Sequence, residues 1–140
     1  MMKKIFLFLL FGLLSYSSAI YAESMFEITL RQAREGDAKA QNNVAAQYRN
    51  VGDCENAIYW YRKAVAQGDP VALFGIGQCY AVGCGVSQDY SKAAMYIEQS
   101  AEKGVRRAQY AIAEMYEKGI GVRKDTSRAA YWKIIANYNN

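Results

Sequence analysis

The chain has 140 residues, with 17 Lys and Arg against 13 Asp and Glu, three cysteines and no histidine. This length suits one domain. The missing histidine removes the commonest general base and the usual zinc ligand, and so excludes Cys–His and Ser–His catalysis. The basic residues form no long block, so the charge pattern gives no support for nucleic-acid binding.

Residues 1–22 have the pattern of a secretory signal peptide. Lys3 and Lys4 precede an apolar run that ends at Leu14, and small residues follow up to Ala22. The apolar run is well short of the ~20 residues that span a bilayer. We therefore predict cleavage after Ala22 and export to the periplasm or beyond, without a membrane span. The mature chain would carry 15 basic and 13 acidic residues, a net charge of +2.

The remaining residues, 23–140, are expected to form one all-α domain. Ser24 and Glu27 resemble a capping box that opens an extra helix ending at Gly36. Three kinds of anchor then recur, at intervals of 32 or 36 residues. The anchors are Gly36, Gly68 and Gly104, then Tyr48, Tyr80 and Tyr116, then Ala57, Ala93 and Ala129. They predict three repeats, at about residues 37–68, 69–104 and 105–140.

Each repeat is predicted to be a pair of helices. Small and apolar residues fall at helical spacing, as at Ala72, Ile76 and Tyr80, and Pro70 suits a first helical position. Aspartates stand where they would accept from the free N–H groups of starting helices. They are Asp37, Asp53, Asp69, Asp89 and Asp125. With the extra helix this gives seven helices, stacked as a short right-handed α-solenoid because one pair alone cannot bury its apolar face.

The connections within repeats two and three share a motif. Residues 83–86 and 119–122 both read Gly-x-Gly-Val, and each is followed by an Asp and an Ala at the same spacing. This combination resembles the Sel-one-like (Sel1-like) repeat, a relative of the tetratricopeptide repeat, over about residues 37–140. The resemblance implies an α-solenoid that binds other proteins. Repeat one departs from the pattern because its connection is four residues shorter, and Ile97 and Lys133 replace the second aromatic that Tyr61 supplies.

The variable face of each first helix is the candidate binding surface. If Ala40, Val44 and Tyr48 and their equivalents are buried, the opposite stripe is free to vary, and in tetratricopeptide-like folds that stripe lines the concave groove. The predicted partner-binding residues are Lys39, Asn42, Arg49, Phe74, Gln78, Arg107, Tyr110, Glu114 and Glu117, with Ala46, Val71 and Ala81 completing the stripe. Phe74 and Tyr110 would be aromatic anchors inside a charged rim. Alternatively, both pack against the neighbouring repeat.

We expect no cofactor and no metal. The Gly-x-Gly-Val segments lack the third glycine of a nucleotide-binding loop and follow a helix, so they are interpreted as turns. The recurring aspartates are explained by helix capping. Some cysteine-rich relatives of the repeat family have been discussed as penicillin binders, which leaves a penicillin-binding or β-lactamase-like enzyme as a remote alternative.

The three cysteines allow at most one disulfide within the chain. Gly83 is expected to end its helix in the left-handed conformation, which brings the next residue, Cys84, onto Cys79. We therefore predict a Cys79–Cys84 disulfide with Cys54 free. The alternatives are a Cys54–Cys84 bond, which closes a longer loop and stabilises more, and three reduced thiols.

The function that these features favour is that of a non-enzymatic periplasmic protein-binding module, expected to be monomeric. Its most specific form is an immunity protein that neutralises a toxin delivered by a rival bacterium, such as a type VI secretion effector. The alternative is an adaptor or assembly factor of the cell envelope, or a secreted protein that engages a host receptor.

Overall fold

The computed structural model describes residues 25–138, which form seven helices and no strand within that range. The first helix, α1, covers residues 25–34. The others are α2 (Ala38–Asn50), α3 (Cys54–Ala66), α4 (Pro70–Val82), α5 (Tyr90–Glu102), α6 (Arg106–Lys118) and α7 (Thr126–Tyr138). The all-α prediction is confirmed. The predicted signal peptide, residues 1–22, lies outside the described residues.

Local sequence signals set the helix boundaries. The aspartates before α2, α3, α4, α5 and α7 each accept a hydrogen bond from a first-turn backbone N–H, and they are Asp37, Asp53, Asp69, Asp89 and Asp125. Gly83 and Gly119 end α4 and α6 in the left-handed conformation, with φ of 77° and 71°. Of the six helices α2 to α7, only α6 begins without a capping aspartate, and the residue before it is Val105.

Successive helix pairs stack into one solenoid. Helices α2 and α3, α4 and α5, and α6 and α7 pack as pairs, while α3 contacts α4 and α5 contacts α6. Buried alanines at Ala40 on α2 and Ala57 on α3, and at their equivalents, allow the backbones to approach closely. Helix α1 covers the open side of the first repeat, where the Gln41 side chain donates to the carbonyl of Ala33.

Two glycines inside α4 explain how closely this helix approaches its neighbours. Glycine in a helix interior costs about 1 kcal/mol relative to alanine. A Cβ on Gly75 would lie 2.3 Å from Cε1 of Tyr61 on α3, and a Cβ on Gly77 would lie 2.6 Å from Cγ1 of Ile97 on α5. Helix α4 can therefore pack against both neighbouring second helices only because these side chains are absent.

Each Gly-x-Gly-Val loop packs on the preceding repeat. A Cβ on Gly85 would lie 2.4 Å from the carbonyl oxygen of Cys54, the first residue of α3. One on Gly121 would lie 2.0 Å from the carbonyl oxygen of Tyr90, the first residue of α5. Both glycines also have positive φ, 69° and 68°. The second glycine of the motif thus permits a backbone contact between repeats.

This contact decides the disulfide, and the predicted Cys79–Cys84 pairing is wrong. The bond joins Cys54 to Cys84, with a Cα–Cα distance of 4.9 Å, while Cys79 is free and buried. The predicted local motif does form, since the backbone N–H of Cys84 donates to the carbonyl of Cys79 at 2.9 Å. The loop nevertheless lies on the start of α3, which puts Cys84 beside Cys54.

Candidate functional site

A groove of about 630 Å³ runs across the first helices of the three repeats. It is lined by Asn42, Asn43, Ala46, Arg49, Tyr61, Val71, Phe74, Gly75, Gln78, Arg107 and Tyr110. Most of the predicted stripe is therefore brought together in one concave surface, contributed by α2, α4 and α6. Whether this surface binds a partner stays a prediction.

Arg49 is held in place at the α2 side of the groove. Its guanidinium donates a hydrogen bond to Oε1 of Gln78 on α4 and lies 5.9 Å from the ring centroid of Tyr61. Tyr61 is 2% exposed. Burial raises the pKa of Tyr61, and the positive charge of Arg49 opposes that rise. The charge of Arg49 therefore acts on the groove floor, and its orientation is fixed before any ligand arrives.

The two aromatic residues of the predicted surface have different environments. Phe74 is half-buried and packs against the apolar core of the second and third repeats, yet it still lines the groove. Tyr110 is 47% exposed, and its hydroxyl donates to Oδ1 of Asn137 on α7 at 2.7 Å. The alternative of packing against a neighbouring repeat thus describes Phe74 in part, without removing it from the groove.

Four residues of the stripe lie outside the groove lining. Lys39 is exposed near the start of α2, and Ala81 packs against the apolar core of the second and third repeats. Glu114 pairs with Lys118 one turn along α6. Glu117 accepts from Nζ of Lys133 on α7 at 2.9 Å, and this bond lowers the pKa of the Glu117 carboxyl. Lys133, at a position that is aromatic in repeat one, thus pairs with a carboxylate of the same repeat.

Three groove residues were not predicted from the sequence. Tyr61 packs against Gly75, and its ring occupies the space that a side chain at position 75 would need. Asn43 adds a polar group at the edge of α2. The available signal was the pair of glycines, 75 and 77, in the interior of an otherwise apolar helix.

A polar cluster outside the groove joins the second and third repeats. The hydroxyl of Tyr116 donates to the Glu98 carboxylate at 2.9 Å and accepts from Arg128 at 2.6 Å. Burial raises the pKa of the Tyr116 hydroxyl, while its bond to Arg128 lowers it. These bonds connect α5, α6 and α7, so the cluster stabilises the stack of the last two repeats.

The described residues offer little support for catalysis. No group of three or more His, Cys, Asp and Glu in residues 25–138 is placed to hold a metal ion. Ser100 and Lys103 have the Ser-x-x-Lys spacing of a serine acylase. The Ser100 side chain, however, is fully buried and donates to the carbonyl of Pro70 at 2.6 Å. It joins α5 to the start of α4 and is inaccessible to a substrate.

The architecture defines a class, an α-solenoid of stacked helix pairs with a groove along the first helices. The chain belongs to the Sel1 repeat family, whose model matches residues 38–69, 70–105 and 106–132. These units begin one residue later than the repeats predicted from spacing, and the third match stops at residue 132. Sel1 repeats generally mediate contacts between proteins. No described helix is long and apolar enough to cross a membrane.

Similar sequences are found in bacteria. An uncharacterized protein of Neisseria meningitidis serogroup B is 34% identical over 94 residues, which cover 61% of this chain and 20% of that protein. YjcO, a Sel1-repeat-containing protein of Escherichia coli K12, is 35% identical over 75 residues, covering 54% of this chain and 32% of YjcO. The chain therefore spans a fifth to a third of the length of these relatives.

Two crystal structures resemble the fold. A Sel1 repeat protein from Oxalobacter formigenes superposes with a TM-score of 0.75 at 28% identity, covering 81% of this chain and 90% of that one. A protective antigen of uropathogenic Escherichia coli strains, with an SLR fold, superposes with a TM-score of 0.74 at 33% identity. That match covers 81% of this chain and 25% of the antigen. Both share the helix-pair architecture described above.

Proposed function

We propose that this chain is an exported, non-enzymatic module that binds a partner protein in the groove across α2, α4 and α6. The observation that carries the proposal is the composition of the groove. Aromatic and aliphatic surface from Phe74, Val71 and Tyr110 lines the same groove as two arginines, Arg49 and Arg107. A few residues carry most of the binding energy of an interface, and tyrosine and arginine are enriched among them.

Site-specific photo-crosslinking in the native cells tests this proposal. A photoreactive phenylalanine analogue replaces Tyr110 in the groove or, as the matched control, Tyr131 on α7. The two tyrosines are similarly exposed, at 47% and 55%, and only Tyr110 lines the groove. We expect one discrete protein adduct from position 110 and none from position 131. Identical adducts from both positions, or none from position 110, would reject the groove as the binding surface.

The most specific form of the proposal is that the partner is a toxin delivered by a competing bacterium, and that binding neutralises it. Its support is the predicted signal peptide, which would place the groove in the compartment that envelope-attacking toxins enter. Deleting the gene should leave growth in pure culture normal but should reduce survival beside siblings that deliver the toxin. Equal survival in both cultures, with the toxin expressed, would reject the immunity role.

A second candidate role faces a host. It is favoured by the similarity to the protective antigen of uropathogenic Escherichia coli, at 33% identity over the matched region. In that case the adduct from position 110 should be a host protein, and it should form on intact bacteria. Protection of the chain from protease added outside intact cells would reject this role and favour a partner within the envelope.

A further inference from the structure

The charge of the groove is one-sided. Its described lining includes Arg49 and Arg107 but no Asp or Glu. The two acids of the predicted stripe are not part of that lining: Glu114 pairs with Lys118, and Glu117 pairs with Lys133. Sequence alone suggested a rim of mixed charge. The folded chain presents a concave surface that is positive.

Neither arginine is neutralised by the protein. Arg49 has a neutral acceptor, the Gln78 amide oxygen, which takes one of its five N–H donors and leaves the charge intact. Arg107 is exposed on the first turn of α6 and forms no ion pair or hydrogen bond within the described part of the chain. Both guanidinium groups are therefore available to anionic groups of a ligand.

Apolar surface separates the two charges. Val71 and Phe74 on α4 line the groove between α2, which carries Arg49, and α6, which carries Arg107. Val71 is 47% exposed and Phe74 is half-buried. A complementary ligand would place one apolar side chain on this surface and an anionic group towards each of the flanking helices.

We propose, on the basis of the function proposed above, that the groove binds an acidic peptide segment of the partner protein. Asp or Glu carboxylates pair with Arg49 and Arg107, and an aliphatic or aromatic side chain between them packs on Val71 and Phe74. Arginine favours this chemistry because its planar fork donates two parallel hydrogen bonds to one carboxylate. Arg49 contributes specificity in particular, since Gln78 and the Tyr61 ring fix its orientation.

Selection from a random dodecapeptide library displayed on phage, with the purified protein as target, tests the proposal. We expect the recovered peptides to be enriched in Asp and Glu flanking an apolar residue. A synthetic consensus peptide should bind Arg107→Glu at least about tenfold more weakly than the unchanged protein, by fluorescence anisotropy. Arg62→Glu, an exposed arginine on α3 outside the groove, should change the affinity less than about twofold.

A charge swap adds a direct readout of pairing. A consensus peptide with Lys in place of its acidic residues should bind Arg107→Glu more tightly than it binds the unchanged protein. A general loss of structure in the variant would not produce tighter binding. Circular dichroism of Arg107→Glu and of Arg62→Glu should match that of the unchanged protein, because both arginine side chains are exposed.

The remaining outcomes separate this proposal from the one on which it rests. Peptides that lose binding with Tyr110→Ala but show no enrichment in acids would overturn the acidic-ligand proposal and leave groove binding intact. Peptides insensitive to both Tyr110→Ala and Arg107→Glu, or no recovered binder, would overturn both proposals. A single-stranded oligonucleotide that binds more tightly than the consensus peptide, and depends on Arg107, would assign the positive groove to nucleic acid instead.

Discussion

Reduction of the Cys54–Cys84 bond offers a quantitative test of how the repeats are joined. The bond closes a loop across the junction of repeats one and two, with a sequence separation of 30. In the chain-entropy model a loop of that length stabilises the folded state by about 3.6 kcal/mol at 25 °C. The five-residue loop of a Cys79–Cys84 bond would contribute only about 2 kcal/mol.

The two pairings therefore predict different losses of stability on reduction. For a domain of this size, 3.6 kcal/mol corresponds to a decrease in Tm of roughly 15 °C. The reduced protein should stay folded, because α3 and α4 retain their packed apolar surfaces, including the contact of Tyr61 with Gly75. Urea unfolding followed by circular dichroism, with and without a phosphine reductant, measures the difference in the free energy of unfolding.

A matched variant isolates the bond from the thiol that does not take part. Cys79→Ala should show the same effect of reductant, since Cys79 is free. Peptide mapping without reductant should recover one linked peptide that joins the Cys54 region to the Cys84 region. A loss below about 1 kcal/mol on reduction, or abolition of the reductant effect by Cys79→Ala, would refute the junction described here.

Two further predictions concern the packing between repeats. Gly121→Ala should destabilise the protein by about 1–3 kcal/mol more than Gly104→Ala, because both glycines have positive φ but only position 121 would place a Cβ against the Tyr90 carbonyl; equal losses in urea unfolding would contradict that close contact. Burial raises the pKa of Tyr61 in the folded state. As the pH rises, the phenol of Tyr61 therefore loses its proton in the unfolded state before it does so in the folded state. The free energy of unfolding should consequently decrease above about pH 10. Tyr61→Phe should make this decrease shallower, and an unchanged slope would contradict it.

The sequence predicted the features that depend on short stretches of chain. Asp69 and Pro70 mark the start of α4 within two residues, and Gly83 marks its end. Repetition then located the first-helix stripe, because the same helical positions recur in each unit. These signals are local, and each has a direct structural cause in unsatisfied N–H groups or in positive φ.

Features that depend on contacts between repeats were predicted less well. Cys84 bonds to Cys54 because Gly85 lies against the start of α3. No local sequence pattern predicts that contact. The acids of the stripe were expected at the binding rim, yet Glu117 reaches Lys133 on the next helix instead. Where a side chain has several possible partners, the actual partner can be identified only once the relative positions of the helices are known.

The most direct test of the central claim is the affinity of four variants for the protein that crosslinks from position 110. Arg107→Glu and Tyr110→Ala change the groove, while Arg62→Glu and Tyr131→Ala are exposed changes of the same kind outside it. Isothermal titration should show each groove variant binding about thirtyfold more weakly and each outer variant binding within about twofold of the unchanged protein. Equal affinities for all four variants would contradict the assignment of the groove as the protein-binding site.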